Sequence, residues 1–237
     1  GDWLVAGEGV DTLTGGTGGD TFYAVNGLAA GSVLQGNGSN NTLYAWGDIS
    51  SATVSGIQRL YAGEQGFFND GTLGLTLTAA QFNAFSFVLA QNLPTYAASA
   101  GTYSLNNVTN SINLVATSTG GTTLDGSGSA YGYETLTASA TGIDTLKASN
   151  FNNDTLIAGG GVDTLIGGTG NNQIFVANNG LAAGSVINAT NHPAGYFETL
   201  QAAGDISGAS ISGITNLNLT GDITLTASQL SSFTNGL

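Results

Sequence analysis

Ala6-Gly7-Glu8-Gly9-Val10-Asp11-Thr12-Leu13-Thr14 runs directly into Gly15-Gly16-Thr17-Gly18-Gly19-Asp20-Thr21-Phe22-Tyr23. The pattern returns as Ala158-Gly159-Gly160-Gly161-Val162-Asp163-Thr164-Leu165-Ile166, then Gly167-Gly168-Thr169-Gly170-Asn171-Asn172-Gln173-Ile174-Phe175. Each stretch fits two successive nonapeptides of the form G-G-x-G-x-D-x-U-x, where U is a large apolar residue. The logic is local. Glycines permit a tight turn at positive φ. The aspartate points into that turn, and the apolar residue (Leu13, Phe22, Leu165, Ile174) faces inward from a short strand.

Around these stretches the chain repeats itself. Asn26-Gly27-Leu28-Ala29-Ala30-Gly31-Ser32-Val33 returns as Asn179-Gly180-Leu181-Ala182-Ala183-Gly184-Ser185-Val186. Gly47-Asp48-Ile49-Ser50 returns as Gly204-Asp205-Ile206-Ser207, and Leu75-Thr76-Leu77-Thr78-Ala79-Ala80-Gln81-Phe82 as Ile223-Thr224-Leu225-Thr226-Ala227-Ser228-Gln229-Leu230. Residues 1–89 and 153–237 therefore read as two copies of one unit, with a connecting β-rich segment, 90–152, between them. Within each copy short apolar phrases recur in one direction, T-L-x-A among them, bounded by Gly, Asn, Ser and Asp. Such phrases predict an all-β chain built as a parallel β-solenoid, with stacked coils and an internal duplication. Thr78 to Phe85 and Thr226 to Phe233 open on a capping threonine and predict one or two short helical segments. Ser86 to Gly132 carries the weakest pattern and predicts differently shaped coils or a linker.

Composition agrees with this reading. Only 7% of residues are charged, against about 25% in ordinary domains. The chain has 38 Gly and 2 Pro, and its 41% apolar content supports a core. Acids outnumber bases by 15 to 2, for a net charge of −13. Nucleic acid and anionic lipid both need basic patches, so the balance argues against either partner and favours cations. No apolar run is long enough for a transmembrane segment. Cysteine is absent, so any staple must be something other than a disulfide. The opening Gly1-Asp2-Trp3-Leu4-Val5 reads as the second half of a nonapeptide, as in a processed or excised chain.

The nonapeptides at about residues 1–23 and 150–175 resemble the calcium-binding repeats of the RTX, or haemolysin-type, secreted proteins. The resemblance implies Ca²⁺ as cofactor, a hard ion taking carboxylate and carbonyl oxygens. It also implies that loops two nonapeptides apart stack and share the ion. Asp2 would then stack with Asp20, and Asp154 with Asn172, while Asp11 and Asp163 lie on the opposite edge without a full motif partner in their own copy. The competing account of the same residues is metal-free: stacked Asp and Asn side chains closing turns by hydrogen bonds to the backbone.

No G-x-S-x-G, H-E-x-x-H or P-loop motif is present. With Arg59 and Lys147 as the sole bases, a lyase lacks its usual equipment, and no acid pair outside the nonapeptides stands out. His192 reads as a loop residue without a catalytic partner. The expectation is a secreted, extracellular, non-enzymatic structural protein at a cell surface. The resemblance points to bacterial surface-layer and adhesin β-solenoids, assembling as a head-to-tail homo-polymer with calcium support. The alternative is a carbohydrate-active β-helix enzyme or its non-catalytic glycan-binding module.

Overall fold

The computed structural model describes residues 1–63, 74–90, 93–151, 153–171, 173–192 and 196–233. The backbone forms an all-parallel β-solenoid of short strands, as the recurring phrases predict. Two compact units divide it: residues 1–99 with 107–113, and 100–106 with 114–237.

In the first unit, strands Trp3–Val5, Thr21–Ala24, Thr42–Ala45, Arg59–Ala62 and Phe87–Ala90 form one parallel sheet. Register stacks like on like: Leu4 beside Phe22, Phe22 beside Leu43, Leu43 beside Leu60, and Leu60 beside Val88. Phe22, Leu43, Leu60 and Val88 are buried, each contributing about 1.5–3 kcal/mol by leaving water. Outward positions carry aromatics instead. Tyr23 stacks on Tyr44 at 5.2 Å and Tyr44 on Tyr61 at 4.7 Å between ring centroids. Trp3 and Phe87 flank the row, and the Arg59 guanidinium lies over Phe87. A second sheet pairs Thr12–Thr14, Val33–Gln35 and Thr53–Ser55.

In the second unit two such columns form. One runs Leu124, Leu146, Leu165, Ile187 and Ile211. The other runs Leu136, Leu156, Phe175, Leu200 and Leu217. Here one expectation is corrected. The inward residue of the last nonapeptide is Phe175, fully buried, and not Ile174, which is half-buried on the outer face. Its loop holds one residue more than the equivalent loop before Phe22, so the motif count slips by one and the side chains exchange faces.

The duplication is carried into detail. Helices occupy Ala79–Ala84 and Ala227–Ser232. In each, the threonine before the helix and a glutamine three residues on exchange hydrogen bonds in a capping box. The glutamine amide then reaches into the core. Gln81 Nε2 donates to the Ile49 and Ala52 carbonyls at 2.8 and 2.9 Å. Gln229 Nε2 donates to the Ile206 and Ala209 carbonyls at 2.8 and 3.0 Å. Gly27 and Gly180 share a φ of +82°. A Cβ on either would meet the Asp48 or Asp205 carbonyl oxygen at 2.6 Å, so no larger residue fits.

The weakly patterned stretch is not a linker. Thr95–Ala97 pairs with Leu75–Leu77 in the first unit, and Gly101–Ser104 with Thr122–Asp125 in the second, all parallel.

Candidate metal centre at the coil corners

At several corners the N–H of the residue that enters the strand is met by a side chain from the next coil. Asp2 N–H donates to Asp20 Oδ1 at 2.7 Å, Asp20 N–H to Asn41 Oδ1 at 2.8 Å, and Asn41 N–H to Gln58 Oε1 at 2.8 Å. The second unit repeats the arrangement. Thr122 N–H donates to Asp144 Oδ1, Asp144 N–H to Asp163 Oδ1, and Asp163 N–H to Ser185 Oγ. On its other sheet Glu134 N–H donates to Asp154 Oδ1 and Gln173 N–H to Glu198 Oε2.

These ladders place the sequence-derived candidates. Asp2 and Asp20 stack in adjacent coils, through the register of Trp3 on Thr21. Asp11 stacks on Ser32, whose hydroxyl accepts from its N–H, and Asp11 Oδ2 accepts from Gly7 N–H. Asp163 has an acidic neighbour after all: Asp144, from the segment before the second copy. Asp154 stacks between Glu134 and Gln173, by the register of Thr135, Thr155 and Ile174. Asn172, the expected partner of Asp154, lies outside the described residues, and the residue entering that strand is Gln173.

The second carboxylate oxygen separates two kinds of corner. Asp144 Oδ2 accepts from Ser139 N–H at 2.7 Å and Ser139 Oγ at 2.6 Å. Asp154 Oδ2 does the same with Ser149, at 2.8 and 2.6 Å. At Asp20 the matching residue is Gly15, which offers no hydroxyl, and the buried Asp20 Oδ2 has no hydrogen-bond partner. A Cβ on Gly15 would lie 2.4 Å from that oxygen. An anionic oxygen buried without a donor is costly unless a cation meets it. At the Gly15 corner, with Asp2 alongside, a hard carboxylate oxygen of the kind Ca²⁺ takes is left without a donor.

Burial raises the pKa of several corner groups. Glu134, fully buried, is pushed up to about 8, with the Asp154 carboxylate adding to the effect. The Ser129 hydroxyl beside it opposes the shift but donates to the Tyr131 carbonyl. Glu198 is pushed up to about 7, mainly by burial, against the Gln173 N–H and His192. Asp154 and Asp163 are raised by burial too, against their hydrogen bonds. Sequence reading passed over Glu134, Asp144 and Glu198. Their signal was positional: each directly precedes a T-L phrase, as Asp20, Asp154 and Asp163 precede theirs or its equivalent.

The site is thus that of a parallel solenoid whose acidic corners bind backbone and, at the Gly15 corner, leave one carboxylate oxygen without a donor. The model of the RTX calcium-binding nonapeptide repeat matches residues 1–28 and 140–174, in four copies. The chain carries these repeats, and calcium is the ion they bind. No curated protein and no solved structure matches the chain. Among the described residues no helix is long and apolar enough to cross a membrane.

Proposed function

We propose that this chain is an extracellular structural protein, a subunit of a bacterial surface layer, adhesin or fibre. Calcium, held at the glycine corner by Asp2 and Asp20, stiffens its coils. The resemblance adds Asp11, Asp154, Asp163 and Asn172 to the ligand set, although both oxygens of Asp154 and of Asp163 already accept hydrogen bonds. Calcium-binding repeats on a β-solenoid fit a secreted structural or adhesin-type protein. The observation that carries the reading is the corner ladder: the buried aspartates are spent on neighbouring N–H groups, which is scaffold work and not catalysis.

Assembly in this reading is head to tail. Among the described residues Trp3–Val5 is an edge strand, paired on one side with Thr21–Ala24, and edge strands template further pairing. A heterologous contact of that kind gives a homo-polymer. Light scattering and negative-stain images at rising concentration, with calcium and with chelator, test it. Calcium-dependent filaments or sheets are expected. A monodisperse monomer in saturating calcium would remove the assembly.

A second reading, a non-catalytic glycan-binding module, has one observation behind it, the outward aromatic row. Tyr23, Tyr44 and Tyr61 are stacked on one another, so within this row the exposed Trp3 is the residue that offers a face to a sugar. Retention on insoluble polysaccharides that Trp3→Ala abolishes would favour it.

A further inference from the structure

The duplication sets one covered surface beside an uncovered one. In the first unit the coil that holds Arg59–Ala62, Leu75–Leu77 and helix Ala79–Ala84 is followed by another. Phe87–Ala90 pairs with Arg59–Ala62, and Thr95–Ala97 with Leu75–Leu77. Ser99 Oγ accepts the Ala79 N–H at the helix start. Under this cover Ala62 is 3% exposed, Leu77 0% and Phe82 2%.

The second unit rebuilds the coil to the same point. Gly204 and Asp205 pair with Ile223 and Thr224, as Gly47 and Asp48 pair with Leu75 and Thr76. Asn216–Thr224 ends its sheet, and among the described residues it is paired on one side alone, with Thr199–Asp205. Leu219 stands where the first unit has Ala62 and is 46% exposed; Leu230 stands where it has Phe82 and is 43% exposed. Ile223, Leu225 and Phe233 are half-buried where Leu75, Leu77 and Phe85 are buried. All these positions stay apolar, whereas a coil facing water would carry polar residues. An apolar edge strand is a template for a further strand.

The first unit also shows the chemistry of what fits. The covering strand reads Phe87-Val88-Leu89-Ala90: an aromatic, two aliphatics and an alanine. Trp3-Leu4-Val5-Ala6 has the same order. Its strand is the other end of that sheet, and Trp3 and Phe87 flank one aromatic row.

We propose that the face formed by Leu219, Ile223, Leu225 and Leu230 receives strand Trp3–Val5 of a second copy. The added strand is parallel and takes the register of Phe87–Ala90 on Arg59–Ala62. Leu4 then lies beside Leu217, and Val5 beside Asn218. This rests on the head-to-tail reading above and gives it a receiving surface and a register. Sedimentation velocity of the whole chain in calcium tests it, with Leu219→Asp/Leu230→Asp compared. Both leucines are exposed, so the charges should spare the monomer's fold, which circular dichroism checks. The wild type should associate and the double variant should stay monomeric. The chain has no cysteine, so engineered pairs read the register directly. Under oxidation Val5→Cys/Asn218→Cys should give a ladder of covalent oligomers, and Val10→Cys/Asn218→Cys should give none. Association that the aspartates leave unchanged, with no ladder from the first pair, overturns this surface and leaves assembly standing. A wild type that stays monomeric removes the assembly reading and this surface with it.

Discussion

Asp20 in the first unit and Asp144 in the second do the same job by one oxygen and opposite jobs by the other. Each Oδ1 receives the N–H that opens a neighbouring coil. Asp144 Oδ2 is then closed off by two donors from Ser139, while Asp20 Oδ2, facing Gly15, is closed off by none. What the Asp20 corner lacks is a donor for the second oxygen, which Ser139 supplies to Asp144 and the Gly7 and Gly159 N–H groups supply to Asp11 and Asp163. A solenoid can therefore mix metal-dependent and metal-independent coils without changing its strands. The two units should differ in their response to chelation.

The largest effect is expected where the corner is complete. Asp144→Ala leaves Thr122 N–H, Ser139 N–H and Ser139 Oγ without their acceptor in a buried turn. Each lost partner costs about 1–3 kcal/mol, so a loss of roughly 3 kcal/mol or more is expected, equal in calcium and in chelator. Denaturant unfolding in both conditions checks it. A loss that appears only in calcium would break the distinction between the corners.

Asp20→Asn should behave in the opposite way. An amide fits this position, since Asn41 holds it in the next coil, accepting from Asp20 N–H and donating to the Gly38 and Gly56 carbonyls. In chelator the variant should match or exceed the wild type, because a buried unpaired charge is gone. In calcium it should be weaker by about 1–3 kcal/mol, the mass-action stabilisation of an occupied site. Melting temperatures in both conditions give the test, and equal shifts in both would count against calcium at Gly15.

A third kind of corner sharpens the comparison through pH. Glu198 has an ordinary value of 4.5 and a folded value of about 7. Below about 4.5 both folded and unfolded chains hold the proton, and its stabilising contribution is complete. As pH rises the unfolded chain releases the proton first, so stability falls until the folded group also ionises near 7. Glu134, near 8, extends the window upward. The melting temperature in chelator should fall from pH 5 to pH 8, and Glu198→Gln should flatten the lower part of that fall. A flat wild-type profile would show that the corner is wetter than its burial indicates.

Much of this was legible in the residues. Phe22 and Leu165 announced inward strands, and Thr78 and Thr226 announced two helix starts. Repeated direction of the T-L phrases required parallel stacking. What failed was counting by motif. Ile174 follows Leu165 at the nonapeptide interval, but one extra loop residue moves the inward role to Phe175. Counting back from the duplicated Asn26 and Asn179 gives the register correctly, since a strand tolerates no slip and a loop does. Glu134 and Glu198 escaped because a motif search asks for Asp after glycines. The physical requirement is only an acceptor one residue before a strand. The difference between Gly15 and Ser139 escaped for another reason: both are small turn residues, and only the distance to a carboxylate oxygen tells them apart.

The smallest expected effect comes from a carboxylate that needs no corner. Asp125 sits on the outer side of its strand, beside Lys147 in the next coil. Burial would raise its pKa, but hydrogen bonds from Ser127 and Lys147 outweigh that and hold it below the ordinary value. The Lys147–Asp125 pair is 36% and 20% exposed, so water and salt screen it, and such pairs are worth about 1 kcal/mol or less. Lys147→Ala should therefore lower stability by no more than about 1 kcal/mol, by less still at high salt, and equally with and without calcium. Ser127 keeps Asp125 partnered in the variant, through its N–H at 3.1 Å and its hydroxyl at 2.6 Å. If removing the lysine instead produced a new calcium dependence, Asp125 would have joined the Asp20 class. Loss of a neighbouring positive charge, and not burial beside a glycine, would then be what recruits the ion.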